Sequence, residues 1–180
     1  NDPRVQAYIT KNVSHLSIGI TIDGTQHKHD MNRIYKDGRG SYNDVVKNIP
    51  LWLKQFPDSG TKVTVGSEDL PFIVESVLHL YSLGIKDVNI NVVFEDVWEE
   101  RDDAILESQL LQLADIMIEK KLYEKHSCSF FSDFIGKPQD PERDNQNWCG
   151  AGKMLSIDAE GNFYPCTRFA KYSLRSKPPI

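Results

Sequence analysis

The sequence predicts an α/β protein in which parallel strands form part of a (β/α) barrel. Three segments alternate apolar and polar residues with a period of two, and each precedes a segment with apolar residues at helical spacing. This alternation of strands and helices is typical of a parallel sheet with crossover helices. Each strand also keeps one small or polar face, whereas interior strands of a doubly wound sheet are apolar on both faces. A barrel with helices outside and a hydrated interior fits this pattern better.

The three strands are predicted within residues 16–23, over Lys62–Gly66 and over Asp87–Glu95. Barrel enzymes place their active groups at the carboxyl ends of the strands and in the loops just beyond. The alternative is an ordinary solvated sheet face, and the residues alone leave both interpretations open. The side chains that would face the barrel interior are Thr21, Asp23, Lys62, Thr64, Asn89, Asn91 and Glu95.

The segments between the strands predict a long loop and three helices. A charged loop is expected over Thr25–Gly40, followed by a helix that Pro50 should kink or restart. The second helix carries a clean apolar stripe over Leu70–Tyr81, and the third is predicted from about Asp102 to Tyr123. A short fourth strand is predicted within residues 127–131, and Cys128 within it should be a buried strand cysteine.

A cysteine-flanked hairpin is predicted near the end of the chain. Met154–Ile157 should run as one strand, Asp158–Gly161 should turn, and Asn162–Tyr164 should return. A hairpin brings its ends together, which would place the thiols of Cys149 and Cys166 close to each other. Spacing alone leaves open a metal or cluster site, a disulfide, or two small buried side chains.

Composition excludes several function classes. The net charge is −5, and neither a long basic run nor an apolar run of membrane-spanning length is present, so neither a nucleic-acid surface nor a membrane partner is predicted. The odd count of three cysteines indicates a reducing compartment, and a cytoplasmic location is expected. The chain starts at Asn1 and stops within a loop-like segment, which indicates a fragment of a longer protein.

The cysteine-flanked hairpin resembles the opening of the SPASM domain, the auxiliary iron–sulfur module of radical SAM peptide-modifying enzymes. That module opens with a cysteine, a glycine and a second cysteine, and here Cys149, Gly161 and Cys166 follow the same order. Pro165 precedes the second cysteine, and Arg168 follows soon after it, as is usual there.

A second stretch resembles the fourth strand and following loop of radical SAM enzymes with SPASM domains. It comprises Thr21–Gly24, His29–Asp30, Asn32–Arg33 and Gly38–Tyr42, with Thr21 in place of the usual serine. The resemblance extends from about Ser14 to Arg168. It is strongest to maturases of ribosomally made peptides, and within them to the branch that acts on peptides with repeated cysteine motifs.

The resemblance implies a domain organisation and a cofactor set. Residues 1–135 would be the C-terminal part of a radical SAM (β/α) barrel, and residues 136–180 a connector and a truncated SPASM-like region. The parent protein would bind 4Fe–4S clusters and S-adenosylmethionine and would modify a precursor peptide by radical chemistry. The Cys-x3-Cys-x2-Cys motif of the family is absent here. The fragment alone is therefore expected to be inactive and to hold no complete cluster.

By the same resemblance, Cys149 and Cys166 would be ligands of an auxiliary cluster, and polar groups at the strand ends would seat the cofactor. Asp23 would equally hold the turn at Gly24, and Arg33 would equally pair with a nearby acid. Exposed strand edges predict self-association with another copy. The candidate cofactor-binding residues are Thr21, Asp23, Arg33, Lys62, Thr64 and Asn91.

Two functions of other classes stay open. A metal-dependent hydrolase would use the cluster of His27, His29 and Asp30, since clustered His and Asp side chains are typical zinc ligands. A non-catalytic peptide-binding domain would use the same fold without a cofactor. The sequence does not identify the catalytic residues.

Overall fold

The computed structural model describes residues 2–93, 96–132, 155–158 and 160–166. The chain divides into two compact units, Asn1–Ile135 and Gly136–Ile180. The α-helices described in the first unit are α1 (Pro3–Lys11), α2 (Gln26–Asn32), α3 (Tyr42–Val46), α4 (Ile49–Gln55), α5 (Ile73–Ser82) and α6 (Asp102–Glu119), and a 3-10 helix over Ser67–Phe72 leads into α5. Its strands are β1 (Ile20–Thr21), β2 (Thr61–Val65), β3 (Asp87–Val92) and β4 (Ser127–Cys128).

The four strands form one parallel sheet in the order β1-β2-β3-β4. The register pairs Ile20 with Thr61, Val63 with Ile90, and Val88 with Cys128. The predicted α/β class with a parallel sheet is therefore confirmed. Closure of this sheet into a barrel stays a prediction, because the same strand order occurs in open sheets.

The sheet has one apolar face and one polar face. Val63, Val65 and Val88 are buried, whereas the alternate residues Lys62 and Asn89 are exposed. Successive side chains of a strand point to opposite faces, so the apolar face packs against the helices and the polar face is exposed to solvent. The alternation expected from the sequence is confirmed for β2 and for the first half of β3.

The core lies between the sheet and the helices. Trp52 of α4 is buried, and its indole N–H donates to the carbonyl of Ile18 at 2.7 Å. Tyr81 of α5 donates its hydroxyl to the carbonyl of Ser127 at 3.2 Å. Burying one large aliphatic side chain contributes about 1.5–3 kcal/mol, so the buried apolar core between the helices and the sheet stabilises their packing. Its fully buried large aliphatic side chains are Ile22, Ile49, Leu70, Leu80, Ile85 and Leu113.

Several boundaries differ from the prediction. The prediction of a continuous loop over Thr25–Gly40 is wrong, because α2 lies within it and is capped by the Thr25 hydroxyl, which accepts from the Lys28 N–H. Pro50 falls in the first turn of α4, after a break that separates α4 from α3; the predicted restart is confirmed. The third helix ends at Glu119, and Lys121 follows with a left-handed φ of 52°.

In the second unit, β5 (Ser156–Ile157) and β6 (Phe163–Tyr164) pair antiparallel. The Asp158 carboxylate closes the turn: it accepts from the Asn162 side chain at 2.9 Å and from the Tyr164 hydroxyl at 2.7 Å. These bonds, led by that of the Asn162 side chain, lower the pKa of Asp158 to about 2. The predicted hairpin is present, and its assignment to a SPASM domain stays a prediction.

Among the described residues, no helix combines the length and the apolar character needed to cross a membrane.

Candidate functional site

A polar cavity of about 510 Å³ lies at the carboxyl ends of the first three strands. Asp23 follows β1, Thr64 lies near the end of β2, and Val93 follows β3. Parallel α/β sheets bind their ligands at this edge. The charged side chains that line the cavity are Asp23, Lys28, Arg33, Glu68, Asp69 and Glu99.

Asp23 joins the three segments that surround the cavity. Its side chain is 3% exposed and accepts from the Arg33 Nε and, at 3.3 Å, from the Arg33 Nη2. The same carboxylate accepts from the Thr64 backbone N–H at 2.9 Å. A buried carboxylate with a guanidinium partner and a backbone donor has its charge well compensated. Asp23 therefore fixes the end of β1 to β2 and to the segment after α2.

Arg33 pairs with Asp23 and not with Asp30 or Asp37, the acids on either side of it in the sequence. Asp30 accepts from the Tyr42 N–H at 2.9 Å, and Asp37 accepts from the Arg39 N–H at 3.0 Å. The Arg33 side chain is 34% exposed, so part of its guanidinium faces the cavity. A planar guanidinium held by a buried carboxylate is a preorganised donor for a carboxylate or phosphate ligand.

A second ion pair, Lys28 with Asp69, lies in the wall of the same cavity. Their side chains are 3% and 7% exposed, with Nζ 3.3 Å from Oδ1. Lys28 also donates to the Thr64 carbonyl, and Asp69 accepts from the Gly66 N–H at 2.8 Å. The pair thus binds the backbone at the end of β2 through both of its members. Neither residue is predicted from the sequence, because Lys28 lies in a polar stretch and Asp69 beside Glu68 at a helix start, and neither stretch indicates a partner about forty residues away.

His29 holds the segment around Asp23 in place. Its ring is fully buried, Nδ1 accepts from the Asp23 N–H at 3.1 Å, and Nε2 lies 3.0 Å from the Ser41 Oγ. Ser41 uses its own hydrogen on the Arg33 carbonyl at 2.8 Å, so Nε2 must carry the proton that bonds Ser41. Burial lowers the pKa of His29, opposed by the charge of Asp23. The geometry requires the neutral imidazole.

Gly24 lets the chain turn tightly after Asp23. Its φ is +128°, and a Cβ at this position would come within 2.2 Å of the Ser76 Oγ and 2.9 Å of the Ser76 Cα. Only glycine satisfies both the backbone angle and the close approach to α5.

The other candidate cofactor-binding residues do not line this cavity. Thr21, Lys62 and Asn91 line a second cavity of about 390 Å³ on the polar face of the sheet, together with Asn89. The structure therefore brings Asp23, Arg33 and Thr64 together and places Thr21, Lys62 and Asn91 apart from them. Glu95 lies outside the described residues.

The candidate metal ligands do not converge in the described part of the chain, where no group of three His, Cys, Asp or Glu side chains could hold a metal ion. His27 packs edge-on against Phe72, with ring centroids 5.1 Å apart. Both ring nitrogens of His29 are already engaged. The expected site of His27, His29 and Asp30 is therefore not assembled.

The cysteines differ in what the structure says of them. Cys166 is buried in the second unit, and Cys149 lies outside the described residues. Cys128 is buried in β4, as predicted, and burial raises the pKa of its thiol. Such a thiol is protonated and unreactive at neutral pH.

The fold and the cavity define an α/β protein with a polar site at the carboxyl edge of a parallel sheet. No family model matches the chain. The chain is similar to the uncharacterized protein MJ0907 of Methanocaldococcus jannaschii, with 24% identity over 151 residues. The matched region is 84% of this chain and 49% of that protein, so the chain spans about half the length of that relative.

Proposed function

We propose that this chain is part of a radical SAM enzyme with a SPASM domain that modifies a ribosomally made peptide. The cavity at the carboxyl edge of β1, β2 and β3 would form part of the pocket for S-adenosylmethionine. The motif stretch from Thr21 to Tyr42 and the cysteine-flanked hairpin support this proposal through their resemblance to the family.

One observation carries the proposal: three of the six candidate cofactor-binding residues, Asp23, Arg33 and Thr64, meet at one cavity. Arg33 offers a partly exposed guanidinium, which suits the carboxylate of the cofactor's methionine portion. Asp23 is too buried to meet a ligand itself, and its role is to orient Arg33 and to neutralise it. The exposed part of Arg33 thus supplies one donor for a carboxylate group, in a lining that also carries the acids Glu68 and Glu99.

The polar face of the sheet suits the interior of a partial (β/α) barrel. Lys62, Asn89 and Asn91 project from the face opposite the helices, where a completed barrel would enclose them. This face would then meet the precursor peptide, beside the cavity that holds the cofactor. Bound S-adenosylmethionine would supply a 5′-deoxyadenosyl radical, and the residues described here would orient it and exclude water.

The described residues do not fit an iron–sulfur cluster. Of the two candidate ligands only Cys166 is described, and the described residues provide no group of three ligands. In the proposed enzyme, the cluster that cleaves S-adenosylmethionine is bound by a different part of the protein.

The test uses the full-length parent protein, reconstituted with iron and sulfide under anaerobic conditions. The readouts are the visible absorption of an iron–sulfur cluster and the release of 5′-deoxyadenosine after addition of S-adenosylmethionine and a reductant. The proposal expects both. A parent that incorporates no cluster and releases no deoxyadenosine, yet binds a precursor peptide, would contradict it and would favour the non-catalytic peptide-binding domain.

A further inference from the structure

An apolar groove runs along one side of α6 and adjoins the polar cavity, with which it shares Val93 and Glu99. It consists of two adjoining hollows of about 390 and 440 Å³ that share Leu106 and Asp103. We call this surface the α6 groove. Its apolar lining comprises Leu106, Leu110, Leu111, Ala114 and Phe131 in one hollow, and Val92, Val93 and Trp98 in the other.

Several large apolar side chains of the α6 groove are exposed to solvent. Leu111 is 62% exposed, Phe131 41% and Trp98 38%. Single exposed apolar residues are common, but a contiguous groove of them marks an interaction surface. The axis from Asp102 to Ala114 spans about 18 Å at 1.5 Å per residue. An extended peptide of about five or six residues would cover it.

The charges that line the α6 groove are all negative among the residues that the structure describes. Glu99, Asp102, Asp103 and Glu107 line its two hollows, and no described basic side chain does. Asp102 is buried and caps the preceding turn by accepting from the Glu99 N–H at 2.7 Å. Within the described residues, the carboxylates of Glu99, Asp103 and Glu107 have no basic partner.

Part of this acidity has a local explanation and part does not. Asp102 and Asp103 lie in the first turn of α6, where the helix dipole favours negative charge. Glu107 lies beyond that turn and repels Asp103 at i,i+4, which disfavours an isolated helix. A positively charged partner would relieve this repulsion.

We propose that the α6 groove binds a short peptide segment with alternating apolar and basic residues. Leu and Phe side chains of the peptide would fill the two hollows, and its Lys or Arg side chains would pair with Glu99, Asp103 and Glu107. The acidic lining disfavours anionic partners such as nucleic acids or acidic lipid surfaces. This proposal does not depend on the radical SAM assignment.

The experiment measures fluorescence anisotropy of a labelled peptide that alternates Lys and Leu, titrated with the complete chain. Comparison peptides alternate Glu with Leu, to reverse the charge, and Lys with Ser, to remove the apolar side chains. The expected result is binding of the Lys–Leu peptide at least about tenfold tighter than either, with an affinity that falls as salt rises. Equal binding of the Lys–Leu and Glu–Leu peptides would overturn the proposal.

Matched variants locate the site on the helix. Leu111→Ser should weaken binding of the Lys–Leu peptide about tenfold, whereas Ile118→Ser should not, although Ile118 is 66% exposed on the same helix and lines neither hollow. Glu107→Gln should reduce the salt dependence, and Glu119→Gln should not. Both apolar substitutions are at exposed positions, so each variant should fold, which circular dichroism checks.

Two outcomes would reject a basic peptide as the occupant. Equal weakening by Leu111→Ser and Ile118→Ser would show that the peptide does not use the α6 groove. Self-association of the unmodified chain in sedimentation velocity, lost in Leu111→Ser, would assign the groove to a second copy instead.

Discussion

The buried carboxylate of Asp23 gives the sharpest prediction for the candidate site. Asp23→Asn keeps the size of the side chain but removes the charge that holds Arg33. Hydrogen bonds to a charged group contribute about 1.5–3 kcal/mol each, and breaking a buried ion pair costs about 3–5 kcal/mol. Arg33 is 34% exposed and can regain water once it loses its partner. We therefore expect a loss of about 2–3 kcal/mol in the free energy of unfolding, below the fully buried range.

The assay is urea unfolding of the purified chain, followed by circular dichroism and by tryptophan fluorescence to test for a single transition. Asp44→Asn is the matched control, because Asp44 also accepts from an arginine, Arg39 at 2.8 Å, and from a lysine, Lys47 at 2.6 Å. That carboxylate lies at the surface, so its loss should change the midpoint far less. Similar midpoints for the two variants would refute the structural role of Asp23.

A double-mutant cycle separates the ion pair from the other contacts of Asp23. The double variant Asp23→Asn/Arg33→Gln should be about 1–2 kcal/mol more stable than the sum of the single effects predicts, because it leaves no uncompensated charge. Additive effects would mean that Asp23 acts through Thr64 alone.

Three further predictions concern the turn, the buried histidine and the hairpin. Gly24→Ala should lower the free energy of unfolding by more than about 2 kcal/mol, since strain and overpacking add. Gly38 has a φ of +84° and nothing within 4 Å of an added Cβ, so Gly38→Ala should lower the free energy of unfolding by only about 1 kcal/mol. Equal losses of this free energy in the two variants, measured by urea unfolding, would contradict the close approach of Gly24 to Ser76. Burial lowers the pKa of His29 below 6.5 in the folded chain. Protons therefore favour the unfolded state below pH 6.5, and the free energy of unfolding should fall from pH 7 to pH 5. The pKa of His79 is also lowered. Both His79→Gln and His29→Gln should therefore reduce the fall in the free energy of unfolding between pH 7 and pH 5. An unchanged fall in His29→Gln would contradict a neutral His29 ring. Asp158→Asn should speed hydrogen exchange of the Asn162 amide, which now donates to Asp158 at 2.8 Å, and unchanged exchange would show that the turn does not need the carboxylate.

The sheet could be predicted because its signals are local. The alternation in Lys62–Gly66 and Asp87–Glu95 predicts which side chains meet the helices. Val63 and Val65 of β2 and Ile90 of β3 are buried as this alternation predicts, whereas Val92, which pairs with Val65, is exposed. β1 is shorter than predicted, since Ile20 and Thr21 are the residues that pair with β2. The predicted alternation of apolar residues extends beyond Ile20 and Thr21 in both directions, but the residues outside these two do not pair with β2.

Helix α2 escaped prediction for a physical reason. Its sequence from Gln26 to Asn32 has almost no apolar residue, so hydrophobic periodicity is absent. What buries it is polar: Lys28 pairs with Asp69, and His29 bonds Asp23 and Ser41. These partners lie up to about forty residues away in sequence, and spacing within the segment carries no sign of them. The resemblance did single out His29 and Arg33, but it did not predict which residues they contact.

The proposed cofactor pocket is tested most directly by equilibrium binding of S-adenosylmethionine to the reconstituted parent protein. Arg33→Lys keeps the positive charge but loses the planar guanidinium, whereas Arg39→Lys makes the same change at a site whose partner is the exposed Asp44. The proposal predicts that Arg33→Lys weakens binding about tenfold and that Arg39→Lys leaves it unchanged. Unchanged binding in both variants would contradict a role for this cavity in holding the cofactor.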